Sequence, residues 1–245
     1  MSLYHFHSAG ESLIDRAGSE VYLSKRDRAL MKRPIDLVMF DLDGTLADTG
    51  QDLADAVNHT RDYFNLEPLP EMLVYTHVGR GVEHLLRHSL PEDSVDHFQE
   101  VMRVFLARYE GHLLDTTILY PGVHEILDYF RGKRRVVVSN KMHRLTVAVL
   151  RGLGVDKEFD AILGGDSAAE KKPHPALIHD ALNRFGILPA HALIVGDGDT
   201  DVEAGRRAGV ITCGVTYGLG NKEGLIAAQP DVLIGALAEL SGYFC

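Results

Sequence analysis

The sequence predicts an α/β protein: a doubly wound parallel sheet, interrupted after its first strand by an inserted all-α domain. Continuous apolar runs recur along the chain, as strands buried on both faces require. Helix-period stretches lie between them, and that alternation is the pattern of a parallel sheet covered by helices on both sides. Between about residues 50 and 117 the strand signal disappears and only helical periods remain.

Residues 1–33 precede the first clear strand. Their apolar residues are scattered without a sustained period, so they read as an N-terminal extension. It is either a loosely docked leader or a specific lid or oligomer contact. His5 and His7 within it read as surface side chains. The run "IDLVMF" is the first core strand. Leu53, Val57, Thr60 and Phe64 then recur at helical spacing, "GVEHLLRHSL" suggests a further helix, and Val95, Phe98, Met102, Phe105 and Tyr109 form the stripe of a helix over 94–110. Hinges are expected near 48–51 and 115–121. Strand runs resume at "RVVVSN", "AILGG", "ALIVGD", "ITCGV" and "DVLI", with helical patterns at 122–132, 144–153, 175–185 and 200–208. The expected division is an extension over 1–33, a core of 34–49 and 118–245, and a helical cap domain over 50–117.

Composition narrows the function. The 245 residues are 45% hydrophobic and 24% charged, with a formal charge of −10, which argues against nucleic acid as the partner. Cys213 and Cys245 are too far apart for a metal-ligand spacing, and Cys213 reads as a small buried hydrophobe. No apolar run approaches the roughly 18 residues of a membrane span, and no signal-peptide pattern opens the chain. A cytoplasmic enzyme, monomer or homodimer, is the expectation.

Open parallel sheets bind ligands beyond the carboxyl ends of their strands. The first strand ends in Asp41, Asp43, Gly44 and Thr45, the second in Ser139, Asn140 and Lys141, and the fourth in "GDGDTD", residues 196–201; the loop after the third leads to "KKPHP". Four loops thus bring carboxylates, a hydroxyl, an amide and an ammonium to one rim. Carboxylates crowded together raise one another's pKa unless a cation joins them. Asp41, Asp43, Asp197 and Asp201 suit Mg²⁺, which takes oxygen ligands and commonly shares a phosphate. Gly44 permits a tight turn whose amide can face an anion. A helix cap explains an isolated Asp-Gly-Thr equally well, but not four such groups at successive strand ends. A calcium loop starting at Asp197 would need glycine and glutamate where Val202 and Ala208 stand.

Asp-x-Asp-Gly-Thr-Leu, Ser-Asn, Lys-Pro-x-Pro and Gly-Asp-x-x-x-Asp, in this order, resemble the motifs of the haloacid dehalogenase-like hydrolases, over about residues 35–240. The helical insertion resembles their first-type cap. The resemblance implies Asp41 as the nucleophile that forms an aspartyl-phosphate. It implies Asp43 as the general acid/base, whose backbone carbonyl also holds Mg²⁺. Ser139 and Asn140 match phosphate contacts, with Gly44 and Thr45 beside them. Lys172 matches the lysine that offsets the charge of nucleophile and phosphate, with Lys171 an adjacent alternative. Asp197 matches a Mg²⁺ ligand, and Asp201 either a second ligand or the partner that orients the lysine. Dehalogenases of this family lack the second aspartate, so Asp43 favours phosphomonoester hydrolysis.

The stretch "THVGRGVEHLL" is similar to the cap loop of phosphoglycolate phosphatases. Arg80 then becomes a candidate for a substrate carboxylate, with His77 nearby. A small phosphorylated metabolite, 2-phosphoglycolate foremost, is the expected substrate. Pyrophosphatase, nucleotide or sugar phosphatase and β-phosphoglucomutase chemistries are the alternatives on the same fold, and a non-catalytic regulatory binding module is the alternative from another class. Phosphonate-cleaving relatives need a cap lysine, and none lies between Pro34 and Gly132.

Overall fold

The computed structural model describes residues 32–91 and 97–245, together with the backbone of three short strands ahead of them. Those strands, β1 (His5–Phe6), β2 (Ser12–Ile14) and β3 (Glu20–Tyr22), pair antiparallel in sequence order. The side chains of His5 and His7 lie outside the described residues, as does Val95 of the expected helical stripe.

The core is a six-stranded parallel sheet. Its strands are β4 (Leu37–Phe40), β7 (Arg134–Val138), β8 (Ala161–Leu163), β9 (Ala192–Gly196), β10 (Ile211–Val215) and β11 (Val232–Ile234), in the order β11-β10-β9-β4-β7-β8. The order reverses at β4: β7 lies on one side of it and β9 on the other. Strand alternation divides the apolar runs between two faces. Leu37, Met39, Val136, Val138 and Ile194 pack with Leu177 and Ile178 on one side. Val38, Phe40, Val137, Val195 and Cys213 pack with Val123, Ile126 and Val149 on the other. The helices that supply those partners are α5 (Val123–Tyr129), α6 (His143–Gly152) and α7 (Ala176–Phe185), and α8 (Asp199–Ala208) adds Ala204 and Ala208 to the first face. Each falls within one to three residues of its expected bounds.

Between β4 and β7 run α1 (Gly50–Tyr63), α2 (Glu71–Tyr75), α3 (Val82–Ser89) and α4 (Phe98–Gly111). Leu53, Val57, Val74, Leu86, Val101, Phe105 and Tyr109 form a separate apolar cluster there, joined by Leu145 of α6. The chain enters and leaves this helical segment through β5 (Ala47–Asp48) and β6 (Ile118–Leu119), which pair antiparallel. The ribbon touches the 48–51 stretch only at Asp48 and lies inside 115–121, and strands so short leave no period in the sequence. Asp52, buried at the start of α1, clamps the ribbon: its carboxylate accepts from the amides and hydroxyls of Thr116 and Thr117 at 2.6–3.2 Å. Two further helices, α9 (Lys222–Ala227) and α10 (Leu240–Tyr243), are too short to show a helical repeat. Among the described residues no helix is long and apolar enough to cross a membrane.

Candidate active site

The central strand β4 delivers Asp41 and, after Leu42, Asp43. A strand period would put residues 41 and 43 on one face, but both lie beyond the end of β4, and each meets its own lysine. Lys172 Nζ lies 3.1 Å from Asp41 Oδ1 and 2.6 Å from Asp201 Oδ1, and also donates to the carbonyl of Val138. Lys141 Nζ contacts both oxygens of Asp43, at 2.8 and 3.1 Å, and the Thr49 hydroxyl donates to Asp43 Oδ1 at 2.7 Å. All these side chains are buried. Burial alone would neutralise both lysines, but Asp201 and Asp41 outweigh it at Lys172, and Asp43 outweighs it at Lys141, so both are held above their ordinary pKa. Of the adjacent pair, Lys172 stands between the aspartates, while Lys171 borders Gly81 in the helical segment.

Asp197, at the end of β9, closes the group. Carboxylate oxygens of Asp41, Asp197 and Asp201 lie within 4.8 Å of one another. Burial pushes the Asp41 carboxyl up to about 6, against the pull of Lys172. Burial, with the charges of Asp41 and Asp201, pushes Asp197 up to about 8. Three buried carboxylates facing a single shared ammonium lack positive charge, and all the donors are hard oxygens. The set therefore fits a divalent cation such as Mg²⁺. Asp197 Oδ2 accepts from the amides of Leu219 and Gly220, which leaves Oδ1 with only a 3.5 Å contact to the Thr45 hydroxyl. Asp201 is more occupied: Oδ1 accepts from Lys172 and Oδ2 from the Gly198 amide.

Three expected phosphate contacts are arranged differently. Gly44 does turn with φ +77°, and a Cβ there would lie 2.0 Å from Asp197 Oδ2, so the position requires glycine. Its amide, however, donates to the Ala47 carbonyl and not toward an anion. Thr45 directs its hydroxyl at Asp197. Asn140 donates both amide hydrogens to carbonyls, those of Gly79 and Lys172, and accepts from the Lys172 amide. No side-chain donor of Asn140 remains for phosphate; its side chain ties the lysine loop to the helical segment. Ser139 is buried at the rim with Asp43, and its Oγ accepts from the Lys141 amide.

Arg80 pairs with Asp199 at 2.6 Å, with both side chains about half exposed. It borders a polar cleft of about 120 Å³ with Asp197, Asp201 and Gly220. A second cavity, about 40 Å³, lies between the Asp43–Lys141 pair and the helical segment, with Tyr109 in its wall. His77 packs edge-on against His84 and tilted against His88, its ring centre 6.1 and 5.2 Å from theirs. Lys141 is the functional candidate to which the sequence assigned no role. The available signal was its position two residues after Ser139, on the same side of an extended chain end.

The chain matches the family model described as haloacid dehalogenase-like hydrolase over residues 38–215. It is 36% identical over 213 residues to a phosphoglycolate phosphatase of Chromobacterium violaceum, covering 84% of this chain and 95% of that one. It is 35% identical over 223 residues to one of Haemophilus influenzae, covering 86% and 98%. A solved structure, of a predicted phosphoglycolate phosphatase from Haemophilus somnus, superposes with a TM-score of 0.80 at 33% identity, covering 84% of this chain and 96% of that one. The chain belongs to the haloacid dehalogenase-like hydrolases, and within them it is an enzyme of the phosphatase kind.

Proposed function

We propose that this enzyme hydrolyses a small phosphate monoester, 2-phosphoglycolate foremost, through an aspartyl-phosphate on Asp41. The observation that carries the reading is the pair of aspartates on β4, each held by its own lysine beside a cation-fitting carboxylate group. Asp41 attacks phosphorus while Lys172 offsets the charge it shares with the phosphate. Asp43 gives a proton to the leaving oxygen, then takes one from the water that attacks the aspartyl-phosphate. Ser139 Oγ is the hydroxyl available to a phosphate oxygen. Asp41, Asp197 and the Asp43 carbonyl would hold Mg²⁺, with Asp201 orienting Lys172. When bound, the ion supplies the positive charge that lets nucleophile and phosphate approach. The substrate name comes from the relatives, and the small cavity beside Asp43 favours a short leaving group over a nucleoside or sugar.

The test is a phosphate-ester panel with Mg²⁺ and with EDTA, on the wild type and Asp41→Asn. Hydrolysis of 2-phosphoglycolate that EDTA abolishes, and that the variant loses by at least a thousandfold, is expected. Undiminished turnover by a contaminant-free variant would overturn the mechanism. A preference for a nucleotide or sugar phosphate would overturn the substrate.

A further inference from the structure

We propose that Lys141 and Tyr109 form the subsite that reads the far end of the substrate, and that this subsite takes a short carboxylate. The proposal rests on the phosphatase reading above and specifies its substrate class from a different set of residues.

The cavity beside Asp43 is walled by Lys141 and Ser139 of the core and by Gly79, Val82, Phe105 and Tyr109 of the helical segment. Asp43 serves the leaving oxygen, so whatever the ester carries beyond that oxygen must lie alongside it. At about 40 Å³ the space corresponds to roughly three water-sized centres. A two-carbon acid fits; a ring does not.

Beyond Asp43, Ser139 and Asn140, two more polar groups, on Lys141 and Tyr109, line this small, largely apolar space. Tyr109 is buried, and its hydroxyl makes no hydrogen bond of ordinary geometry among the described residues, with the Lys141 ammonium beside it. Buried hydroxyls nearly always have one, and an orphan at a cavity wall marks where a ligand supplies it. Lys141 Nζ lies 4.8 Å from the centre of the Tyr109 ring. An ammonium has three donor hydrogens; Asp43 engages two through its two oxygens, and the third remains. A carboxylate is an acceptor with two oxygens and a negative charge, the chemistry that an ammonium and a phenol hydroxyl side by side recognise. Arg80, by contrast, borders the other cleft and already has the carboxylate of Asp199.

The experiment compares kcat/KM for 2-phosphoglycolate with that for ethyl phosphate, which has the same chain length and no carboxylate. Tyr109→Phe removes only the hydroxyl; Lys141→Gln removes the charge but also leaves Asp43 unpaired, so the first variant carries the argument. A hydrogen bond to a charged group corresponds to about a tenfold to hundredfold change. Tyr109→Phe is expected to lower the ratio of the two kcat/KM values at least tenfold, mainly through KM for 2-phosphoglycolate. An equal effect on both substrates, with wild-type activity on each intact, overturns the subsite and leaves the phosphatase reading standing. Wild-type inactivity on both overturns the phosphatase reading and the subsite with it.

Discussion

Replacing Asp52 by alanine should loosen the helical segment from the core. Its carboxylate accepts four donors, the amide and hydroxyl of Thr116 and of Thr117. Thr116 is exposed and its donors can turn to water, but Thr117 is buried, so two donors are stranded. Each stranded group costs about 1–3 kcal/mol, which puts the loss for the two at roughly 2–6 kcal/mol. For a chain of this size about 3 kcal/mol lowers the thermal midpoint by roughly 6–12 °C. The pH dependence provides a second reading. Burial works to raise the Asp52 pKa, but the Thr116 and Thr117 hydrogen bonds outweigh it and hold the carboxyl below its ordinary value. A depressed carboxyl stabilises the fold fully above its unfolded pKa, near 4, and the contribution drains away as pH falls through the folded value. The gap between wild type and Asp52→Ala, followed by calorimetry, should therefore be widest at neutral pH and narrow below about pH 4. A midpoint shift under about 2 °C at pH 7, or a gap that widens in acid, would refute the clamp.

Two other substitutions test the site. Gly44→Ala places a methyl group against Asp197; since a 1 Å misplacement costs about a hundredfold, kcat/KM should fall at least that much and the Mg²⁺ concentration for half-activation should rise. Unchanged Mg²⁺ dependence would show that Asp197 had not been displaced. Arg80→Ala removes a half-exposed ion pair worth about 0–1 kcal/mol, so the thermal midpoint should stay within about 3 °C. Its kcat/KM values for 2-phosphoglycolate and an aryl phosphate should change by similar factors. A loss confined to 2-phosphoglycolate would restore Arg80 as the carboxylate reader.

The strands were legible because burial on both faces leaves an unbroken apolar run, as in Leu37–Phe40. The helices flanking the sheet were legible because one buried stripe, such as Leu177, Ile178 and Ala181, leaves a period. Motif order then brought the aspartates and Lys172 to a single rim. What the sequence withheld is set by side-chain direction and by competition for hydrogen bonds. Lys141 has a long flexible stem, and nothing local says that it reaches Asp43. Tyr109 belongs to an apolar stripe whose period is silent about its hydroxyl. The Asn140 side chain and the Gly44 amide stand where a phosphate contact is expected, but nearer backbone carbonyls claim their donors. The choice between Lys171 and Lys172 likewise depends on which of two neighbours points inward, and adjacent identical residues carry no local signal of that.

The strand order has a consequence for the chain while it is being made. The central strand β4 is synthesised early, yet its neighbour β9 follows much later. Asp43 and Lys141 are 98 residues apart, and Thr45 and Asp197 are 152. Chains of this topology close such loops slowly, because the entropy is lost before the contact forms. A nascent polypeptide therefore carries Asp41 and Asp43 long before Asp197 and Asp201 join them, and a product terminated before β9 has β4, β7 and β8 but only one edge of the central strand paired. The carboxylate group closes only when β9 and the start of α8 have been made, near the end of synthesis.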